Sequence, residues 1–282
     1  MAAAHTAGAD PAAAHLLRDR PAGRAAGVDQ TSRAPVIVLA PPYSGAGTLR
    51  SLLVAHPDLA CTTGTGVLPL CDHAMATWRN ADSRPSGPPS ALACAATRAL
   101  AASIITAILA REGKPRWCEI AAASPQVAEA FLRLYPDTRF LCLHRTCQGV
   151  IRAVLDSSPW GITDPVLAPF TIKYPVSTVA SLTAYWVTTT APLLAFEREH
   201  PGSCLRVRFE DLAQGQQANE EITSFLGLAA AVGQPRYGGH DQPLPESPET
   251  EPAADLPVSL IPPALLKQAN DLLQQLGYPV LA

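Results

Sequence analysis

Val36-Ile-Val-Leu-Ala-Pro-Pro-Tyr-Ser-Gly-Ala-Gly-Thr-Leu-Arg-Ser-Leu-Leu53 decides the fold. An unbroken apolar run gives way to a loop of small residues, and the loop to apolar positions at helical spacing. This predicts a buried strand over 36–40, a tight loop, and a helix over 48–56. Gly45 and Gly47 let backbone N–H groups turn inward with no Cβ in the way, and a helix opening near Thr48 adds the positive end of its dipole. Such a unit can hold a phosphate or a sulfate ester; an ordinary strand-to-helix connection has the same local sequence.

The alternation continues outward. Strands are expected at 36–40, 117–121, 140–144 and 205–208, and helices at 48–56, 66–78, 91–112, 125–135, 147–157, 177–200, 220–226 and 263–276. That order predicts a three-layer α/β fold, with a mostly parallel central sheet flanked by helices. Residues 1–33, rich in Ala, Gly and charge, are expected to be a disordered leader before one domain spanning 34–282. Two Pro-rich stretches, 80–90 and 234–255, are expected to be mobile loops, the second either folding over a ligand or remaining a surface excursion.

Net charge is −3, from 21 basic and 24 acidic residues, so no overall field draws in nucleic acid or an anionic membrane. Any anion site must be local. With no signal-peptide core and no uncharged apolar window of about 18 residues, a cytoplasmic protein is expected. The seven cysteines form no C-x-x-C pair and no His-linked cluster, so neither a metal site nor a disulfide framework is expected. Buried thiols in a reducing compartment account for them, with Cys147 left open because of the loop it occupies.

That loop follows Phe140-Leu-Cys-Leu-His144, which runs into Arg145 and then Thr146-Cys-Gln-Gly149. In a parallel sheet the C-terminal strand ends line the ligand crevice, which puts Arg145 on the same edge as the glycine loop. Its planar fork suits a phosphate, and a surface salt bridge is the alternative. Arg152, about two helical turns on, either assists or faces solvent. Strand alternation points His144 away from Arg145. A further strand ends in Arg208-Phe-Glu-Asp211, whose charges either order the site or cap the following helix.

Together these segments resemble the PAPS-dependent sulfotransferase family. Its phosphosulfate loop, Pro-[Arg/Lys]-Ser-Gly-Thr-Thr-x-Leu, is matched by Pro42-Tyr-Ser-Gly-Ala-Gly-Thr-Leu49. Its strand ending in Arg-Asp-Pro-x-Asp-Val is matched by residues 140–150, and its Arg-Tyr-Glu-Asp-Leu and Phe-Leu-Gly by Arg208-Phe-Glu-Asp-Leu212 and Phe225-Leu-Gly227. Tyr185-Trp186 and Ser158-Pro-Trp-Gly161 resemble bacterial members. The resemblance implies a P-loop NTPase-like fold and PAPS as co-substrate with no metal. It further implies that Ser44, Gly45, Ala46, Gly47, Thr48 and Leu49 cradle the 5′-phosphosulfate, and that Arg145, with Arg152 near it, holds the 3′-phosphate.

The chain departs from the family where the loop carries Tyr43 or Ser44 in place of a Lys or Arg, and Ala153 in place of a phosphate-binding serine. Tyr43 is then the candidate hydrogen-bond donor to the leaving oxygen. For the base that takes the acceptor's proton, the family uses a Glu or His. The candidates are Glu119, with a salt bridge to Lys114 or Arg116 as its other reading, and His73, beyond the Thr62-Thr-Gly-Thr65 that stands where a Glu often occurs. Tyr174, Trp160, Phe170 and Trp186 are candidates either for an apolar acceptor pocket or for the core. Two functions are compatible with the resemblance: sulfuryl transfer to a hydroxyl or amine of a small-molecule or glycan acceptor, or nucleotide binding on a degenerate sulfotransferase fold. A P-loop kinase fits less well, because no Lys precedes Thr48 and no strand-end Asp is present for a metal.

Overall fold

The structure is a computed structural model, and it describes residues 34–81, 89–122, 124–212, 216–228 and 257–282. The expected leader, the loop over 234–255 and most of the 80–90 loop lie outside the described residues.

Five parallel strands form one sheet: β1 (Val36–Leu39), β2 (Leu59–Thr63), β3 (Arg116–Ala121), β4 (Arg139–His144) and β5 (Cys204–Arg208), in the order β2-β3-β1-β4-β5. Around it lie α1 (Ala46–Val54), α2 (Val67–Ala81), α3 (Ala91–Glu112), α4 (Pro125–Leu134), α5 (Cys147–Ser157), α6 (Ala168–Lys173), α7 (Thr178–Glu199), α8 (Phe209–Leu212), α9 (Gln216–Leu226) and α10 (Pro263–Gln275). Sequence reading expects four of the strands and misses β2. That strand pairs on one side only, with β3, and its Leu-Ala-Cys-Thr-Thr composition carries no sustained apolar run. The short helices α6 and α8 are likewise absent from the sequence expectation, and α9 begins four residues ahead of its expected start at 220.

Every side chain of β1 is buried, and alternation sends them to two different layers. Ile37 and Leu39 join Trp117, Phe140, Val67, Ile105 and Phe131 on the face covered by α2, α3 and α4. Val36 and Val38 join Ile120, Leu141, Val207, Leu53 and Ile222 on the face covered by α1 and α9. Each such side chain contributes about 1.5–3 kcal/mol, so β1 anchors both layers at once. A third cluster, built from Val150, Leu182, Trp186, Leu194 and Leu272, packs α5, α7 and α10 together.

Both α3 and α7 have the length and hydropathy of a membrane span; in the fold α3 packs on α2 and α7 on α10. The register of the central strands positions the site. Leu39 at the end of β1 pairs with Cys142, and β4 continues to His144. The chain leaving β4 therefore passes above the loop that leaves β1.

Candidate active site

The loop between β1 and α1 closes on itself: the Ser44 amide donates to the Pro41 carbonyl at 3.1 Å, and Ser44 Oγ donates to the same oxygen at 2.6 Å. Gly45 follows in the left-handed region, φ 91°, and caps α1 without any side-chain hydrogen bond. Among the described residues the amides of Gly45, Ala46 and Gly47 have no hydrogen-bond partner, while Thr48 N–H donates to the Gly45 carbonyl at 3.1 Å. Free amides at a helix start are the donors that an anion uses where one binds. The two glycines are not equivalent. A Cβ on Gly45 would lie 2.1 Å from the Phe209 ring, whereas one on Gly47 would meet nothing within 4 Å. Leu49 is fully buried in the sheet core, so its side chain anchors α1 rather than facing a ligand.

Tyr43 is the one non-glycine residue with positive φ among the described residues, at 68°. Such a conformation costs on the order of 1–3 kcal/mol and is held by its surroundings. Tyr43 Oη donates to Asp164 Oδ2 at 2.6 Å, Arg145 Nη1 donates to the Tyr43 carbonyl at 3.2 Å, and Tyr185 Oη donates to the Pro42 carbonyl at 3.0 Å. Burial, with the Asp164 carboxylate assisting, pushes the Tyr43 hydroxyl up to about 12. Asp164 is held below the usual carboxylate range by that hydroxyl and by the Val166 amide. A phenol has one proton to donate, and here it goes to Asp164. The expected donation from Tyr43 to a leaving group is therefore absent from this arrangement.

Arg145 is fixed at several points. Its carbonyl accepts from Trp186 Nε1 at 2.9 Å, and its guanidinium lies 4.2 Å from the centroid of the Phe209 ring. A Cβ on Gly149 would sit 2.9 Å from Arg145 Nε and 2.8 Å from Thr146 Oγ1, so this glycine lets the side chain fold across the start of α5. Burial lowers the Arg145 pKa, opposed by Glu210 and Asp156 and reinforced by the like charge of Arg152. A narrow cleft bounded by Pro41, Ser44, His144, Arg145, Tyr185 and Thr190 joins the two loops.

The base candidates are not brought into this cleft. Glu119 is 3% exposed, and its carboxylate accepts from Thr62 Oγ1, the Thr65 amide and Thr65 Oγ1. It ties down the turn after β2, and the proposed salt bridge is replaced as well: Lys114 Nζ donates to the carbonyls of Val54, His56 and Leu59, and Arg116 to those of Ala34 and Leu226. His73 lies on the exposed side of α2. His144 is buried against Glu197, whose other oxygen meets Arg206 at 2.8 Å.

Cys147 is also buried, and desolvation pushes its thiol up to about 12, which makes it a core residue rather than a reactive one. Of the aromatic candidates, Trp186 is in the core and Phe170 meets Tyr185 edge-on, while Trp160 is 98% exposed.

Sequence reading missed Asp164, Phe209 and Gly149. Of the two roles open to the charges at 208–211, Glu210 takes the ordering one and not the cap: it accepts from the Thr146 amide at 3.0 Å on the neighbouring strand's loop. Of these only Gly149 left a local signal, a glycine in the first turn of a helix.

The profile of the Sulfotransferase family matches residues 35–231. A Caenorhabditis briggsae protein provisionally named protein-tyrosine sulfotransferase is 29% identical over 190 residues, covering 66% of this chain and 63% of its own length. A Caenorhabditis elegans protein of the same provisional name is 28% identical over 184 residues, covering 64% of this chain and 65% of its own. The chain thus spans under two thirds of the length of these curated relatives. Among solved structures, the sulfotransferase domain from the curacin biosynthetic pathway has a TM-score of 0.57 at 18% identity, covering 88% of this chain and 100% of that one, a likeness of fold.

Proposed function

The chain belongs to the sulfotransferase family, and on that premise we propose that it binds 3′-phosphoadenosine-5′-phosphosulfate and moves the sulfuryl group to a hydroxyl or amine of an acceptor. One observation carries the reading. The unpartnered amides at the start of α1 and the guanidinium of Arg145 lie on one sheet edge, tied together by the Arg145–Tyr43 hydrogen bond.

The residues fit the nucleotide. Gly45 makes room for the Phe209 ring against the loop, and Ser44 to Thr48 would hold the phosphosulfate. Arg145 and Arg152 would hold the 3′-phosphate. When bound, the nucleotide supplies the sulfuryl group and takes the developing negative charge on its phosphate. The chain supplies positioning and neutral donors, with helix-dipole stabilisation in place of a loop cation. No metal takes part in this reading. The free thiols of the described residues suit a reducing, cytoplasmic compartment.

The acceptor remains a small molecule or glycan in this reading, and the relatives' name adds the phenolic hydroxyl of a protein tyrosine. A second reading, nucleotide binding without turnover, is favoured by a specific observation. Tyr43 is committed to Asp164, Glu119 to the turn after β2, and His73 lies outside the cleft on the exposed side of α2, which leaves neither base candidate in the cleft. Transfer of radiolabelled sulfate from the donor to p-nitrophenol, a tyrosine peptide and an amino sugar separates the two. Label on any acceptor supports the enzyme; binding of the product nucleotide with no transfer supports the binding module.

A further inference from the structure

The end of the chain returns to the Arg145 loop. Tyr278 lies beyond the family-matched residues, yet it is 5% exposed, and its Oη donates to Glu210 Oε2 at 2.6 Å with the His144 carbonyl 3.4 Å away. The other carboxylate oxygen of Glu210 accepts from the Thr146 amide, the first amide after Arg145. Arg208 stacks on the Tyr278 ring at 4.3 Å. Burial and the nearby carboxylate both raise the Tyr278 hydroxyl, so it stays a neutral donor. One carboxylate therefore spans the C-terminal phenol and the backbone beside Arg145.

Glu210 is also the acidic group that acts most strongly on Arg145, although no ion pair joins them. A partly buried carboxylate deprived of one donor is drawn to nearby positive charge. Two guanidiniums are at hand: Arg208, stacked on the Tyr278 ring, and Arg145, wanted for the phosphate, whose neighbouring Thr146 amide Glu210 already meets. We infer that Tyr278 is a positioning residue for the 3′-phosphate site: by occupying Glu210 it keeps that carboxylate on the Thr146 amide and off Arg145. The inference rests on the nucleotide reading of Arg145, and it makes the segment after α10 part of the binding site.

The test uses the full chain and two probes, adenosine 3′,5′-bisphosphate and AMP, which lacks the 3′-phosphate; the readout is the ratio of their dissociation constants by calorimetry. Tyr278→Phe should weaken the bisphosphate about tenfold, the scale of one charged hydrogen bond, and leave AMP within about twofold. Adding Glu210→Gln, which keeps an acceptor for Thr146 but removes the competing charge, should restore the preference. Partial unfolding removes sites for both probes alike and leaves the ratio unchanged. Glu210→Gln alone gives a second test, in which the preference should hold or rise.

A wild-type protein that prefers the bisphosphate, with a Tyr278→Phe variant that prefers it equally, overturns the inference and spares the reading. The inference also falls, and the reading stands, if both probes weaken together, if Glu210→Gln alone lowers the preference, or if the double variant fails to recover it. A wild-type protein with no preference for the bisphosphate overturns the reading of Arg145 and the inference with it.

Discussion

Arg145 Nη1 donates to the carbonyl oxygen of Tyr43 at 3.2 Å, joining the end of β4 to the loop after β1. The guanidinium and the loop at the start of α1 are therefore one unit. Because Tyr43 holds a left-handed backbone only with help from its neighbours, the shape of that loop depends on contacts made far away in sequence.

The two glycines of the loop should respond differently to alanine. Gly45→Ala forces a Cβ into the Phe209 ring at φ 91° and should cost about 2–5 kcal/mol, combining overpacking and backbone strain. Gly47→Ala, inside α1 with open space around it, should be neutral or stabilise by up to about 1 kcal/mol. Urea unfolding of both variants decides the matter. Equal losses would remove Phe209 as the reason for the glycine.

Loss of the Tyr43–Asp164 link should destabilise modestly and in a pH-dependent way. Tyr43→Phe should cost about 1 kcal/mol at neutral pH, the net worth of one hydrogen bond at a partly exposed site. Asp164 has a folded pKa below its unfolded value, so its contribution is full above the unfolded pKa and fades as pH falls through the folded one. Tyr43 is raised from 10.0 to about 12, so its contribution is full below 10.0 and fades as pH rises through about 12. Denaturant melts should show wild type and variant converging in strong acid and in strong base. A constant gap across that range would contradict the assignment.

Restoring a cation to the loop tests how far its absence limits chemistry. Tyr43→Arg should raise the rate of sulfate transfer to p-nitrophenol by about tenfold or more, since a single well-placed electrostatic donor is worth about 10²–10³ in rate where geometry is ideal. A variant that binds the product nucleotide normally and transfers no faster would locate the limitation elsewhere.

Much of this architecture is legible in the amino-acid sequence alone. The mostly apolar runs at 36–40, 117–121 and 140–144 place β1, β3 and β4 because a strand buried on both faces is mostly apolar, with Glu119 and His144 the buried polar exceptions. Arg145 and the glycine loop share an edge because parallel strands deliver their ends to one side. β2 escaped because Cys61, Thr62 and Thr63 carry little apolar signal on an edge strand. The partners of the site escaped for a different reason. Tyr43 and Asp164 stand 121 residues apart, and the need for glycine at 45 is set by Phe209, so neither follows from local pattern. Glu119 misled because a buried carboxylate on a strand near the site looks the same in sequence whether it takes a proton or anchors a turn.

Nucleotide binding at Arg145 is decided by a calorimetric titration of adenosine 3′,5′-bisphosphate into the wild-type protein and into Arg145→Ala. The wild type should bind one-to-one and saturably, and the variant should lose about 1.5–3 kcal/mol, the range for a hydrogen bond to a charged group. Equal affinity in the two proteins, or no binding by the wild type, would contradict it.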